Sequence, residues 1–75
     1  NSRSFGDVIA LCHSELSEAL EEYRNNHPMV YQGEDGKPEG IAVEMADCII
    51  RILDWANQED LDMQSVILNK MKYNE

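Results

Sequence analysis

From Ser4 to about Asn26 the apolar residues Phe5, Val8, Ile9, Cys12, Leu16, Ala19, Leu20 and Tyr23 recur at steps of three and four. That spacing predicts an amphipathic helix with one continuous apolar stripe. Ser4 is placed to cap its start, and Asp7 falls in the positive first turn. His27-Pro28 closes it, because the residue before a proline is pushed out of the α region. The stretch from Gln32 to Gly40 is polar and turn-rich and reads as a loop. A second helix is predicted from Pro38 or Glu39 to Asn57, with the proline suited to its first turn. A third starts near Asp62, a good N-cap, and runs to the chain end. Its expected inward face is Met63, Val66, Ile67, Lys70, Met71 and Asn74.

The second helix is unusual in how little of it is polar. Ile41, Ala42, Val43, Met45, Ala46, Cys48, Ile49, Ile50, Ile52, Leu53, Trp55 and Ala56 together cover about two-thirds of its wheel. Only a narrow stripe of Glu44, Asp47, Arg51 and Asp54 is left polar. A helix apolar on so many sides needs cover on several sides, and two neighbours can hardly supply it. The expected architecture is therefore all-α, a helical hairpin plus a third helix, completed into a bundle by a second chain as a homodimer or homotetramer.

Composition sharpens this. At 75 residues the chain is one domain, residues 1–75. A domain this small buries only about 60% of its unfolded surface, so a lone core is marginal without a staple, a metal or a partner. Fifteen acidic residues against six basic ones give a formal net charge of -9. That balance argues against nucleic acid or an anionic membrane surface as partner and invites cations. With 43% hydrophobic residues in a regular pattern, the chain is not a disordered acidic tail. Cys12 and Cys48 are too few for a disulfide framework and read as reduced core side chains, which fits a cytoplasmic protein. No stretch approaches the roughly 20 apolar residues that span a bilayer, and no signal-peptide pattern is present. The chain begins at Asn1 without a methionine and stops abruptly at Glu75, the pattern of a piece trimmed at both ends.

Candidate chemistry lies in the placement of carboxylates. Glu15 and Glu18 stand three apart on the first helix, so they are neighbours on its surface, with Glu22 one turn on. Glu15 borders the apolar stripe, flanked by Cys12, Leu16 and Ala19. Glu44 and Asp47 repeat the spacing on the one polar stripe of the second helix. Antiparallel packing of the two helices would bring the pairs face to face. Four carboxylates in a low-dielectric setting repel strongly, so they protonate or hold a divalent cation. Oxygen-only ligands select hard cations, Mg²⁺ or Mn²⁺. His13 points outward and His27 ends its helix, and the Glu-x-x-His pattern of di-iron bundles is absent. The plainer reading is a solvated acidic face, for which Glu18, Glu21 and Glu22 are ordinary material.

Glu15-Leu16-Ser17-Glu18 followed by Glu44-Met45-Ala46-Asp47 resembles the ExxE…ExxD signature of the MazG-like all-α nucleoside triphosphate pyrophosphohydrolases. The likeness extends through Ser14 to Glu22, Val43 to Asp47, Leu61-Asp62-Met63 and Lys70-Met71-Lys72-Tyr73-Asn74, spanning about residues 8 to 75. One departure stands out: many members have a further Glu before the first pair, where this chain has Ser14, and Glu22 is a candidate substitute. The resemblance implies a four-helix-bundle type of fold completed by oligomerisation and Mg²⁺-dependent hydrolysis of an NTP or dNTP to the monophosphate and pyrophosphate. It makes Glu15, Glu18, Glu44 and Asp47 the metal ligands, one of them also orienting or deprotonating water. Lys70 becomes a candidate phosphate contact and Asn74 a partner to phosphate or sugar; the alternative for both is the fraying end of an amphipathic helix. Arg51 either contacts phosphate or pairs with Asp47 or Asp54 to brace the stripe. Trp55 and Tyr73 fit core or interface packing better than base stacking. The competing function is a non-catalytic acidic helical module that dimerises or docks on a basic partner.

Overall fold

A computed structural model describes residues 4–75. The order of elements is α1 (Phe5–Arg24), β1 (Tyr31–Gln32), a 3₁₀ turn (Glu34–Gly36), β2 (Pro38–Glu39), α2 (Ile41–Gln58) and α3 (Met63–Asn74). The three expected helices are present, so the chain is mostly helical, with one small two-stranded sheet between the first two. Ser4 caps α1 as the sequence suggests, its Oγ accepting from the Asp7 N–H. Asp62 does the same for α3, accepting from the Ser65 N–H and hydroxyl.

The helix ends differ from the sequence reading in two places. α1 stops at Arg24, short of Asn26, because Asn26 turns into the left-handed region (φ 59). The His27 N–H then reaches back to the Glu22 carbonyl and the Asn26 N–H to that of Tyr23, the paired bonds of a Schellman ending. Pro28 follows this ending and does not cause it. α2 closes the same way, with Asp60 (φ 57) left-handed, Leu61 bonded to the Ala56 carbonyl and Asp60 to that of Asn57.

The second difference is the start of α2. Pro38 and Glu39 are not its first turn; they form β2, antiparallel to β1 with Tyr31 opposite Glu39 and Gln32 opposite Pro38. Gly40 then begins α2 at φ 119, in van der Waals contact with the loop: a Cβ there would lie 2.3 Å from the Met29 carbonyl oxygen. That carbonyl accepts the Ala42 N–H and so satisfies one free donor of the first turn. The polar linker is thus a short hairpin folded onto the end of α2.

α1 and α2 lie antiparallel, since Phe5 meets Trp55 (ring centroids 5.3 Å apart), Cys12 meets Cys48, and Glu15 meets Arg51. Val8, Cys12 and Cys48 form the buried centre, with Trp55 packed against it. Both cysteines are free and buried, as read from the sequence. α3 is another matter. No residue of it is buried, and it makes only marginal contact with the other elements. Of the inward face expected from Met63, Val66, Ile67, Lys70, Met71 and Asn74, only Met63 is half-buried; the others are exposed among the described residues. The radius of gyration is 14.8 Å, against about 11 Å for a closed globule of this length. No helix of the described residues is long and apolar enough to cross a membrane.

Candidate metal centre

Antiparallel packing brings three of the four predicted carboxylates together. Glu15, Glu44 and Asp47 each offer an oxygen, and these three atoms lie within 4.8 Å of one another. Glu15 is the buried one, 7% exposed, because its place at the edge of the α1 stripe puts it under α2. Glu44 and Asp47 come from one face of α2, a turn apart, as the i, i+3 spacing requires. Glu18 lies outside this tight group. It is exposed and accepts a 3.4 Å hydrogen bond from the Ser14 hydroxyl one turn back. It is near enough to act on Glu44 by charge all the same. The Glu44 carboxyl is raised above the ordinary range, first by burial and then by the charges of Glu18, Glu15 and Asp47.

Arg51 is partly exposed, and among the described residues it forms no ion pair with Asp47 or Asp54. Its Nε–H donates to Glu15 Oε2 at 2.7 Å, tying α2 to α1 across the buried side of the cluster. The sequence alone hid this pair, because it depends on helix register. The available signal was the polar edge position of Glu15, directly opposite the one basic residue of an otherwise acidic stripe.

Beside the cluster runs an open cleft of about 290 Å³. Glu15, Asp47 and Arg51 stand along one part of it, with Asp54 and Gln58 following along α2, while Val8, Leu11, Ile50 and Trp55 give it an apolar lining. This size is near the lower end for ligand pockets. Lys70 and Asn74, the predicted phosphate and sugar contacts, do not line the cleft. Lys70 instead sits over the ring of Tyr73, 4.9 Å from its centroid.

Glu22, the candidate substitute for a further glutamate, lies outside the group of three close carboxylates. It accepts a 2.8 Å hydrogen bond from the Tyr31 hydroxyl, and His27 Nδ1 lies 2.9 Å from the same oxygen. These bonds hold the Glu22 carboxyl below its usual range, the tyrosine bond contributing most. The bond to Glu22, followed by burial, pushes the Tyr31 hydroxyl up to about 12. Glu22 thus fastens the linker hairpin to the end of α1.

The donor set suits a hard cation. All three close groups are carboxylates, and the cysteines, softer ligands, are packed into the core next door. Compared with known proteins, the chain matches no family model, and neither a curated protein nor a solved structure matches it significantly.

Proposed function

We propose that this chain is a Mg²⁺-dependent nucleoside triphosphate pyrophosphohydrolase of the MazG-like kind, converting an NTP or dNTP to its monophosphate and pyrophosphate. One observation carries the reading: three carboxylates from two facing helices converge within 4.8 Å, one of them buried. Arg51 offsets one of these charges, and a divalent cation would offset the remainder. In the proposed reaction Glu15, Glu44 and Asp47 hold the metal, and Glu18 joins from the exposed rim. Mg²⁺ or Mn²⁺ held there would supply charge neutralisation on the phosphoryl oxygens and activation of water. One of the four carboxylates orients or deprotonates the attacking water. Its oxygen forms the new bond to the α-phosphorus as the α–β anhydride bond breaks, and pyrophosphate leaves. The adjoining cleft receives the rest of the nucleotide, with Trp55 and Ile50 offering apolar surface.

The proposed enzyme works as a homodimer or homotetramer. Ile49 and Leu53 on α2 and Val66, Ile67, Leu68 and Met71 on α3 are each about half or more exposed in the single chain. Such an area of apolar surface is what one copy would bury against another. A second chain would also place α3 over a site. This is how Lys70 and Asn74, absent from the cleft of their own chain, would meet phosphate and sugar. The buried, free thiols suit a reducing compartment such as the cytoplasm.

The same exposed apolar surface favours a second reading, a non-catalytic acidic module that only dimerises. Pyrophosphate release from a panel of NTPs and dNTPs at saturating Mg²⁺ separates the two. The enzyme reading expects turnover of at least one nucleotide that Asp47→Asn abolishes. A blank panel from a folded, oligomeric protein leaves the module.

A further inference from the structure

Arg51 is the residue whose role the structure narrows most. Its guanidinium donates Nε–H to Glu15 Oε2 at 2.7 Å. Glu15 is the most buried of the three converging carboxylates and comes from the opposite helix. A carboxylate tied through one oxygen loses its rotational freedom and keeps the other oxygen for a cation. Ligating carboxylates are commonly held in this way by an outer hydrogen bond. Arginine suits the task because its donors sit in a rigid planar fork and its charge is permanent. This bond uses one of its five N–H donors, and the guanidinium also lines the cleft.

We propose that Arg51 is a positioning residue for the metal, fixing the Glu15 carboxylate toward Glu44 and Asp47. This rests on the metal reading above. Charge alone and positioning make opposite predictions for its removal. A guanidinium next to a cation site repels the cation, so deleting the charge would by itself tighten binding. Losing the bond that orients a ligand weakens binding, by about 10- to 100-fold. The sign of the change therefore decides.

The experiment is calorimetric titration of Mn²⁺ into the wild-type chain, Arg51→Met and Arg51→Lys, with circular dichroism confirming the fold of each. Arg51→Met is expected to bind Mn²⁺ about 10- to 100-fold more weakly. Arg51→Lys keeps the charge without the planar fork and is expected to fall between that variant and wild type. Equal or tighter binding by Arg51→Met overturns the proposal. Should Arg51→Met fail to fold, Arg51→Lys carries the test: weaker binding supports positioning, and wild-type or tighter affinity overturns it. Wild-type protein that takes up no Mn²⁺ sinks the metal reading itself, a result distinct from a wild type that binds and a variant that binds equally well.

Discussion

α1 and α3 both start at a side-chain cap, Ser4 and Asp62, yet only the α1–α2 pair has an interior. Between α1 and α2 lie a buried centre of Val8, Cys12 and Cys48, a tilted Phe5–Trp55 contact and the Glu15–Arg51 bond. α3 has Asp62 at its start and no buried residue. Local signals are thus sufficient to start and stop a helix, while burial requires a facing surface at the right register. The difference also bears on the proposed site. A site needs side chains that cannot rotate away, and only the pair supplies them. α3 can contribute Lys70 or Asn74 only once something covers it.

The strongest test of this contrast acts on the joint that aims α2 at α1. Gly40→Ala places a Cβ against the Met29 carbonyl at a left-handed φ, and the expected loss is about 3 kcal/mol in denaturant titrations. A loss below about 1 kcal/mol would mean that the hairpin does not set the helix start. Divalent metal should strengthen the pair. At a free Mg²⁺ concentration of 100 times its Kd, the stability gain is about 2.7 kcal/mol, and thermal melts of Asp47→Asn should show none of it. Equal gains in both proteins would remove Asp47 from the site.

A matched pair of truncations compares the regions directly. Val8→Ala, in the buried centre, is expected to cost about 2 kcal/mol. Ile67→Ala on α3 is expected to cost under about 0.5 kcal/mol at dilutions where the chain is monomeric, and markedly more at concentrations where it associates. A concentration-independent cost at Ile67 would refute association through α3. Asp60→Gly relieves the left-handed residue between α2 and α3 and should raise stability by about 1 kcal/mol. A null result would show that Asp60 holds its conformation at no cost.

The smallest effects are in pH. Glu44 has a raised carboxyl in the folded chain, so its contribution favours folding at low pH and is lost as pH climbs past the ordinary carboxylate value. Glu22 has a lowered one, so its contribution is present above that value and disappears as pH falls through the folded one. Glu44→Gln should therefore stabilise the metal-free chain at neutral pH, whereas Tyr31→Phe should flatten the acid limb of its stability profile. Melting temperatures between pH 3 and 7, at the roughly ordinary range of carboxylate titration, check both signs.

Much of this was legible along the chain. Ser4 and Asp62 are polar caps before apolar repeats, and both cap as expected, because capping depends on neighbours three residues apart. The start of α2 was not legible. Pro38 suits a first helical turn, but the strand pairing with Tyr31–Gln32 and the contact of Gly40 with Met29 claimed it for the hairpin. The same holds for the site. Spacing made neighbours of Glu44 and Asp47, but it could not separate Glu18, left exposed, from Glu15, drawn under α2.

The sequence by itself determined what depends on local periodicity: three helices, the Ser4 and Asp62 caps, two buried cysteines and two acidic pairs on helical faces. Tertiary structure decided which carboxylates converge, that Arg51 belongs to Glu15, that Glu22 fastens the linker, and that α3 is uncovered. Those outcomes depend on the register and rotation of one helix against another. A shift of a single residue turns a helix by about 100° and would put a different set of side chains face to face.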